Sequence, residues 1–127
     1  MADVNRGNRP LSPHLSIYRP QLNSAMSIFH RVSGLSMILA AILIVWWFLA
    51  ASSSPEYFAV VDGLINSWIG TAIMVLSVMA LWYHFCNGVR HLIWDLGYGM
   101  EMEEVTQSGY LAFAVALILT IVTLFFA

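Results

Sequence analysis

Three long stretches without a formal charge constrain the fold of this chain more than any other feature of its sequence. Asp, Glu, Lys and Arg are absent from residues 32–55, 63–89 and 105–127, stretches of 24, 27 and 23 residues. Each stretch exceeds the roughly 20 residues that an α-helix needs to cross the hydrocarbon core of a bilayer. Backbone polar groups in lipid need partners within the protein, which favours helices. We therefore predict an all-α membrane protein with three transmembrane helices.

The composition favours the same class. Hydrophobic residues make up 60% of the 127-residue chain and charged residues only 9%, whereas charged residues are about 25% of a soluble domain. We predict a single membrane domain over 27–127, with spans at about 29–51, 64–93 and 105–126 and a turn at "SSSPEY" (52–57). An arm, 1–26, precedes it. Membrane lipid is an expected partner and nucleic acid is not.

Arginine placement predicts the orientation, because cytoplasmic segments carry an excess of basic residues. The chain has no lysine, and the turn between spans one and two has no basic residue. All arginines lie before span one, at its start, or at the end of span two: Arg6, Arg9, Arg19, Arg31 and Arg90. We therefore expect a cytoplasmic N-terminus and a multi-pass protein of a bacterial inner membrane, inserted without a removable signal peptide.

The segment "HFCNGVRHLIWD" (84–95) places ionisable groups at the end of an apolar span. At about 100° per residue, His84, Gly88, His91 and Asp95 share one helix face. Within that face, a glycine leaves room for a bulky group to approach. An ionisable residue inside a span is a functional hypothesis by default.

The start of span one carries a matching face. Ser27, His30, Arg31 and Gly34 follow the i, i+3, i+4, i+7 spacing of one side of a helix. Spans one and two are antiparallel, so the start of the first and the end of the second share the cytoplasmic half of the membrane. We expect the two polar faces to meet there.

Depth separates the roles of these residues. If Arg90 marks the interface, His84 lies about 9 Å deeper, whereas Arg90 and His91 can reach water or headgroups by extending along the helix. A metal or haem ligand, a proton relay and an interhelical hydrogen bond all remain open for His84.

The cationic surroundings favour haem. An axial imidazole in an apolar slot, with donors around the propionates, is what a haem needs, and His30, Arg31 and His91 suit the second task. His30 lies too shallow to be a second axial ligand to a haem on His84. We therefore expect that ligand from another chain, since three helices enclose a macrocycle poorly.

The sequence also resembles a known family through three motifs: "RPLSPHLSIYRPQ" (9–21), "SIFHRVSG" (27–34) and "HFCNGVRHLIWD" (84–95). The family comprises the cytochrome b subunits of succinate dehydrogenase, the larger membrane anchors of succinate:quinone oxidoreductase (complex II). The resemblance runs from the arm through "DLGYG" (95–99), with a third span of the expected length.

This resemblance implies a haem b held between two anchor subunits, with His84 as the axial ligand of the haem iron from this chain. It places His30, Arg31 and His91 near the propionates, and Ser27 and Arg31 in a ubiquinone site. It also implies three partners: a second small anchor subunit, an iron–sulfur subunit and a flavoprotein subunit. No residue of this chain is expected to act on succinate.

The absence of certain motifs agrees with that division of labour. One cysteine cannot ligate an iron–sulfur cluster, and no Gly-rich dinucleotide loop is present. Two alternatives remain open at this point. One is a non-redox three-span protein that uses His84 and Asp95 as a proton relay, and the other is the anchor of a fumarate reductase.

Overall fold

A computed structural model describes residues 18–127, in which all regular structure is helical. Four helices follow one another: α1 (Leu22–Ser53), α2 (Pro55–Ile65), α3 (Trp68–Asp95) and α4 (Met102–Phe126). The helices α1, α3 and α4 are long and apolar enough to cross a membrane, which confirms the predicted all-α, three-span class. Residues 1–17 of the expected arm, and most of the 9–21 motif, lie outside the described part of the chain.

The short helix α2 occupies the loop in which the sequence predicted only a turn. Ser54 caps it by accepting a hydrogen bond from the Tyr57 amide at 3.2 Å, and Pro55 suits the first helical turn because it lacks an amide hydrogen. Two indoles of α1 hold α2 in place. Trp47 donates to the Asp62 carboxylate at 2.9 Å, and the Trp46 indole donates to the Tyr57 hydroxyl at 2.7 Å.

A tight corner joins α2 to α3. Ser67 caps α3 by accepting a hydrogen bond from the Gly70 amide at 3.2 Å. A Cβ at Gly70 would come within 2.2 Å of the Ile65 carbonyl oxygen and 2.4 Å of the Leu64 carbonyl oxygen. The obstacle is backbone, so it cannot move aside as a side chain would. Glycine is therefore the residue that lets this corner close.

The helix α4 packs on α3 through small side chains. The buried residues of α4 are spaced along one face: Gly109, Ala112, Ala116 and Thr120. Small residues allow close backbone approach between membrane helices, where van der Waals packing replaces the hydrophobic effect. Near the C-terminus of α4, the Trp82 indole of α3 donates to the Thr123 hydroxyl at 2.8 Å.

The central position of α3 decides where the polar residues lie. It packs against both α1 and α4 and runs antiparallel to each. The first third of α1 therefore faces the last third of α3, bringing His30 beside His84 and His91. Large apolar side chains cover the outer faces of all three long helices, as lipid or further membrane helices would require.

We expect Gly70→Ala to destabilise the protein by about 2–3 kcal/mol, because the added methyl overlaps backbone that cannot relax without opening the corner. The measurement is thermal unfolding of the detergent-purified protein. Gly63→Ala is the matched control, since Gly63 lies in α2 and an added Cβ there meets nothing within 4 Å. Equal midpoints for the two variants would contradict the role given to Gly70.

Candidate functional site

Three imidazole rings meet where α1 crosses the end of α3. The His30 ring stacks on the His84 ring with centroids 4.1 Å apart and planes inclined by 19°. On its other side, His30 lies 5.1 Å from the His91 ring at a tilt of 37°. The structure thus brings together the three histidines that the sequence placed on facing sides of two helices. The expected difference in depth is wrong, because the His30 ring stacks directly on the His84 ring.

One nitrogen of His84 is held by the backbone and a hydroxyl of α1. Its Nδ1 lies 3.0 Å from the His30 carbonyl oxygen and 3.2 Å from the Ser33 Oγ. The Ser33 hydroxyl itself donates to the same carbonyl at 2.8 Å. A carbonyl oxygen can only accept, so Nδ1 carries the ring proton and Nε2 carries the lone pair. This tautomer is the one that binds a metal through Nε2.

Two glycines shape the space around the His84 ring. A Cβ at Gly34 would lie 2.8 Å from His84 Cε1 and 3.3 Å from Nδ1, so the ring rests directly on the backbone of α1. Gly88, one turn along α3, would meet nothing within 4 Å if it carried a Cβ. The ring is therefore confined on one side and has open space along its own helix on the other.

The contact between α1 and α3 that holds His30, His84 and His91 is called the seam below. The remaining predicted site residues lie around it. The Nε2 of His30 is buried and has no hydrogen-bond partner within the described residues. Ser27 is half-buried and Arg31 is exposed, and both lie within one turn of His30 on α1. Asp95 is exposed and is the last residue of α3.

The seam is not a site for a bare metal ion. Within residues 18–127, no three His, Cys, Asp or Glu side chains are grouped so that they could hold one. The His30 ring stacks on the His84 ring and is tilted against the His91 ring. What the seam offers is one imidazole nitrogen with a free lone pair, flanked by further nitrogen donors.

Arg90 lies elsewhere than the sequence indicated. It was expected to reach headgroups or water, but only 6% of its surface is exposed. Its Nε donates to Ser108 at 3.0 Å, and its Nη2 donates to the Val105 carbonyl and, at 3.4 Å, to Asn23. The guanidinium also lies 4.1 Å from the centre of the Trp94 ring. Arg90 thus ties α1, α3 and α4 together through neutral partners.

The sequence analysis missed two further residues. Ser33 went unnoticed because a serine in a span shows no pattern of its own, and its partner is 51 residues away. The signal that could have found it is its position, three residues after His30 and on the side of α1 next to Gly34. Tyr83 was also missed, although its buried hydroxyl donates to the Met26 carbonyl at 3.0 Å and joins α3 to α1.

We expect Arg90→Leu to lower the stability by at least about 2 kcal/mol, since each hydrogen bond from a charged group contributes about 1.5–3 kcal/mol and the acceptors stay buried. The measurement is again the unfolding midpoint of the detergent-purified protein. Arg31→Leu is the matched control, because Arg31 is exposed on α1. A loss of stability for Arg31→Leu as large as that for Arg90→Leu would argue against the three-helix tie.

Comparisons with known proteins identify the relatives of the chain. The family described as the succinate dehydrogenase/fumarate reductase transmembrane subunit matches residues 5–123. The chain is 47% identical over 124 residues to the succinate dehydrogenase cytochrome b556 subunit of Paracoccus denitrificans, covering 98% of this chain and 95% of that protein. It is 44% identical over 108 residues to the cytochrome b560 subunit of Marchantia polymorpha, with 80% and 78% covered. The b556 subunit of Rickettsia felis is 36% identical over 112 residues, with 88% and 87% covered.

Proposed function

Since this chain belongs to the family of succinate dehydrogenase/fumarate reductase transmembrane subunits, we propose that it binds haem b together with a second anchor subunit and helps to reduce ubiquinone. It is a multi-pass membrane protein, and we place it in a bacterial inner membrane. The observation that carries the proposal is the 3.0 Å contact between His84 Nδ1 and the His30 carbonyl oxygen, from which we infer that Nδ1 is protonated and that Nε2 keeps its lone pair.

The residues at the seam fit a haem. The lone pair on His84 Nε2 suits a haem iron, and open space at Gly88 leaves room on the same face of α3. A buried nitrogen without a hydrogen-bond partner lowers the stability of the protein. A haem propionate would give the His30 Nε2 such a partner. His91 and Arg31 supply further donors nearby. When bound, the haem supplies a one-electron carrier.

A partner subunit supplies the second axial ligand in this proposal. The helix α4 packs against the side of α3 that holds Tyr83 and Arg90, about 100–120° around the helix from His84. The seam of α1 and α3 that carries the histidines is therefore left uncovered by α4. Helices of a second anchor could complete a bundle there, as haem sites in helical bundles require.

Ser27 and Arg31 suit the binding of ubiquinone. Both lie in the second and third turns of α1, near the predicted cytoplasmic surface. A quinone that takes up electrons develops negative charge on its carbonyl oxygens before it is protonated. The Ser27 hydroxyl and the Arg31 guanidinium can donate hydrogen bonds to such an oxygen and stabilise that charge. The exposed position of Arg31 leaves its donors accessible to a ligand.

The other subunits of the complex supply the rest of the reaction. Association with catalytic subunits follows from membership of the family, and we propose an iron–sulfur and a flavoprotein subunit on the cytoplasmic side. Succinate is oxidised there, and electrons pass to quinone beside this chain. The named relatives are succinate dehydrogenases, which favours this direction over fumarate reduction.

A proton relay through His84 and Asp95 has less support. A relay needs a chain of groups that both accept and donate protons, yet the His84 Nδ1–H points to a backbone carbonyl, which cannot pass a proton on. Asp95 lies eleven residues further along α3, about 16 Å away along the helix axis.

In the intact complex, His84→Ala should reduce bound haem at least about tenfold, because the only ligand from this chain is removed. The measurement is the reduced-minus-oxidised spectrum, scaled to total protein. Asp95→Asn is the control and should keep the wild-type haem content. Retention of the full spectrum in His84→Ala would reject His84 as the ligand, and a wild-type complex without haem would reject the proposed function.

Arg31→Ala and Ser27→Ala should each reduce quinone reductase activity about tenfold or more, since each removes a donor to a developing negative charge. Succinate oxidation with an artificial acceptor should stay unchanged. Ser52→Ala is the control, because Ser52 lies at the opposite end of α1 and donates to the Leu49 carbonyl of its own helix. Parallel loss of both activities would mean that these residues serve assembly instead.

A further inference from the structure

We infer that Ser33 is a positioning residue for His84, and that its hydroxyl, together with the His30 carbonyl, fixes the tautomer and orientation of the ring through which this chain binds haem. The inference rests on the proposed function. It assigns a role to a side chain that belongs neither to the residues proposed to bind quinone nor to those proposed to contact the propionates. Ser33 is buried, with 7% of its surface exposed, in the half of α1 that faces α3.

Three atoms form a closed triangle of contacts. The Ser33 Oγ donates to the His30 carbonyl oxygen at 2.8 Å, the His84 Nδ1 lies 3.0 Å from that oxygen, and Nδ1 lies 3.2 Å from the Ser33 Oγ. Because the hydroxyl proton is used on the carbonyl, the Oγ faces Nδ1 with a lone pair. The two oxygens therefore accept a hydrogen bond from the His84 Nδ1–H and donate none to Nδ1.

Ser33 shares the Nδ1–H of His84 with the His30 carbonyl. That carbonyl belongs to α1, where the amide four residues later takes one of its lone pairs in a regular helix. The Ser33 hydroxyl also donates to it. A carbonyl oxygen has two lone pairs, so it must share them with Nδ1–H at 3.0 Å, and the Ser33 Oγ at 3.2 Å supplies a second acceptor. Buried among membrane helices, this bond has no water to replace it if the hydroxyl is lost.

Gly34 completes the support from the other side. Its missing side chain lets the His84 ring approach the α1 backbone, since a Cβ would lie 2.8 Å from Cε1. The ring of an unliganded histidine can swing away from such a methyl, whereas a ring bonded to iron cannot. Ser33 and Gly34 together therefore act on the orientation of Nε2, and they do so without contacting the ligand themselves.

A neighbouring serine provides the contrast. The Ser36 hydroxyl donates to the Ser33 carbonyl at 2.8 Å, which is the same bond to the third preceding residue that Ser33 makes. Within the described residues, Ser36 has no hydrogen bond to a histidine. Both serines thus hydrogen-bond within their own helix, but Ser33 alone of this pair also lies within hydrogen-bonding distance of a residue of α3, the His84 Nδ1 at 3.2 Å.

The test uses Ser33→Ala, Ser33→Thr and Ser36→Ala in the intact complex, with haem content, haem midpoint potential and the g-values of the ferric haem as readouts. An acceptor on Nδ1–H makes an axial imidazole more basic and favours ferric iron. In Ser33→Ala, the ferric-to-ferrous ratio at a fixed potential should fall about two- to tenfold, the range of one hydrogen bond. Ser33→Thr keeps a hydroxyl and should have the wild-type ferric-to-ferrous ratio. Ser36→Ala should also have the wild-type ratio.

The outcomes separate cleanly. A shift in Ser33→Ala that Ser33→Thr reverses supports the inference, as does haem loss in Ser33→Ala that Ser33→Thr prevents. Identical potentials and g-values in all three variants overturn it, and so do equal changes in Ser33→Ala and Ser36→Ala. Haem loss in both Ser33 variants also overturns it, because side-chain volume would then decide. A wild-type complex without haem would reject the proposed function itself.

Gly34→Ala adds a second arm in the same complex. The added methyl should lower haem content or alter the ferric g-values, because it displaces the ring that carries Nε2. Gly63→Ala is its control, since a Cβ there meets nothing within 4 Å. Wild-type haem content and g-values in Gly34→Ala would overturn the contribution of Gly34 and leave that of Ser33 to its own variants.

Discussion

The bond between the His84 imidazole and the backbone of α1 is the contact on which the rest of the site depends. An imidazole within a bilayer has no water to satisfy it, so each of its nitrogens needs a partner from the protein or from a ligand. The His30 carbonyl and the Ser33 hydroxyl satisfy Nδ1. That leaves Nε2 as the nitrogen that a haem iron can use, and it links the packing of two helices to the chemistry of the cofactor.

The helix-to-helix ties and the proposed haem site lie on different faces of α3. Tyr83 and Arg90 hold α3 to its neighbours through carbonyl and hydroxyl oxygens. The Arg90 guanidinium has no carboxylate among these partners, so no second ion has to be buried in the membrane beside it. The histidine face is free of such ties except at His84 Nδ1. The ties between the helices therefore leave the histidine face available for the proposed cofactor and partner.

In the proposed complex, the three spans form one part of a larger helical assembly. The helix α4 adds its small residues to α3 and leaves the histidine seam of α1 and α3 uncovered. A haem shared between two subunits, as proposed, would make each anchor dependent on the other, since each would supply one ligand. The short helix α2, tied to α1 by Trp46 and Trp47, lies at the other end of the molecule and takes no part in the site.

Charge-free length and helical periodicity by themselves determine much of this protein. They specify three membrane helices and place His84 and His91 on one face of α3 opposite His30 on α1, because both depend only on local spacing. The motifs likewise indicate the family. The sequence could not show that Arg90 turns inward or that a short helix fills the outer loop. Those features depend on which neighbours lie within reach.

Tertiary structure alone decided how His84 is held. Ser33 and His84 are 51 residues apart. No local sequence pattern predicts that a hydroxyl of one helix will contact a ring of another. The sequence placed Gly34 on the polar face of span one, but only the structure shows that the His84 ring packs against its backbone. Spacing along a chain predicts which face a residue occupies. The packing of the helices determines what that residue contacts.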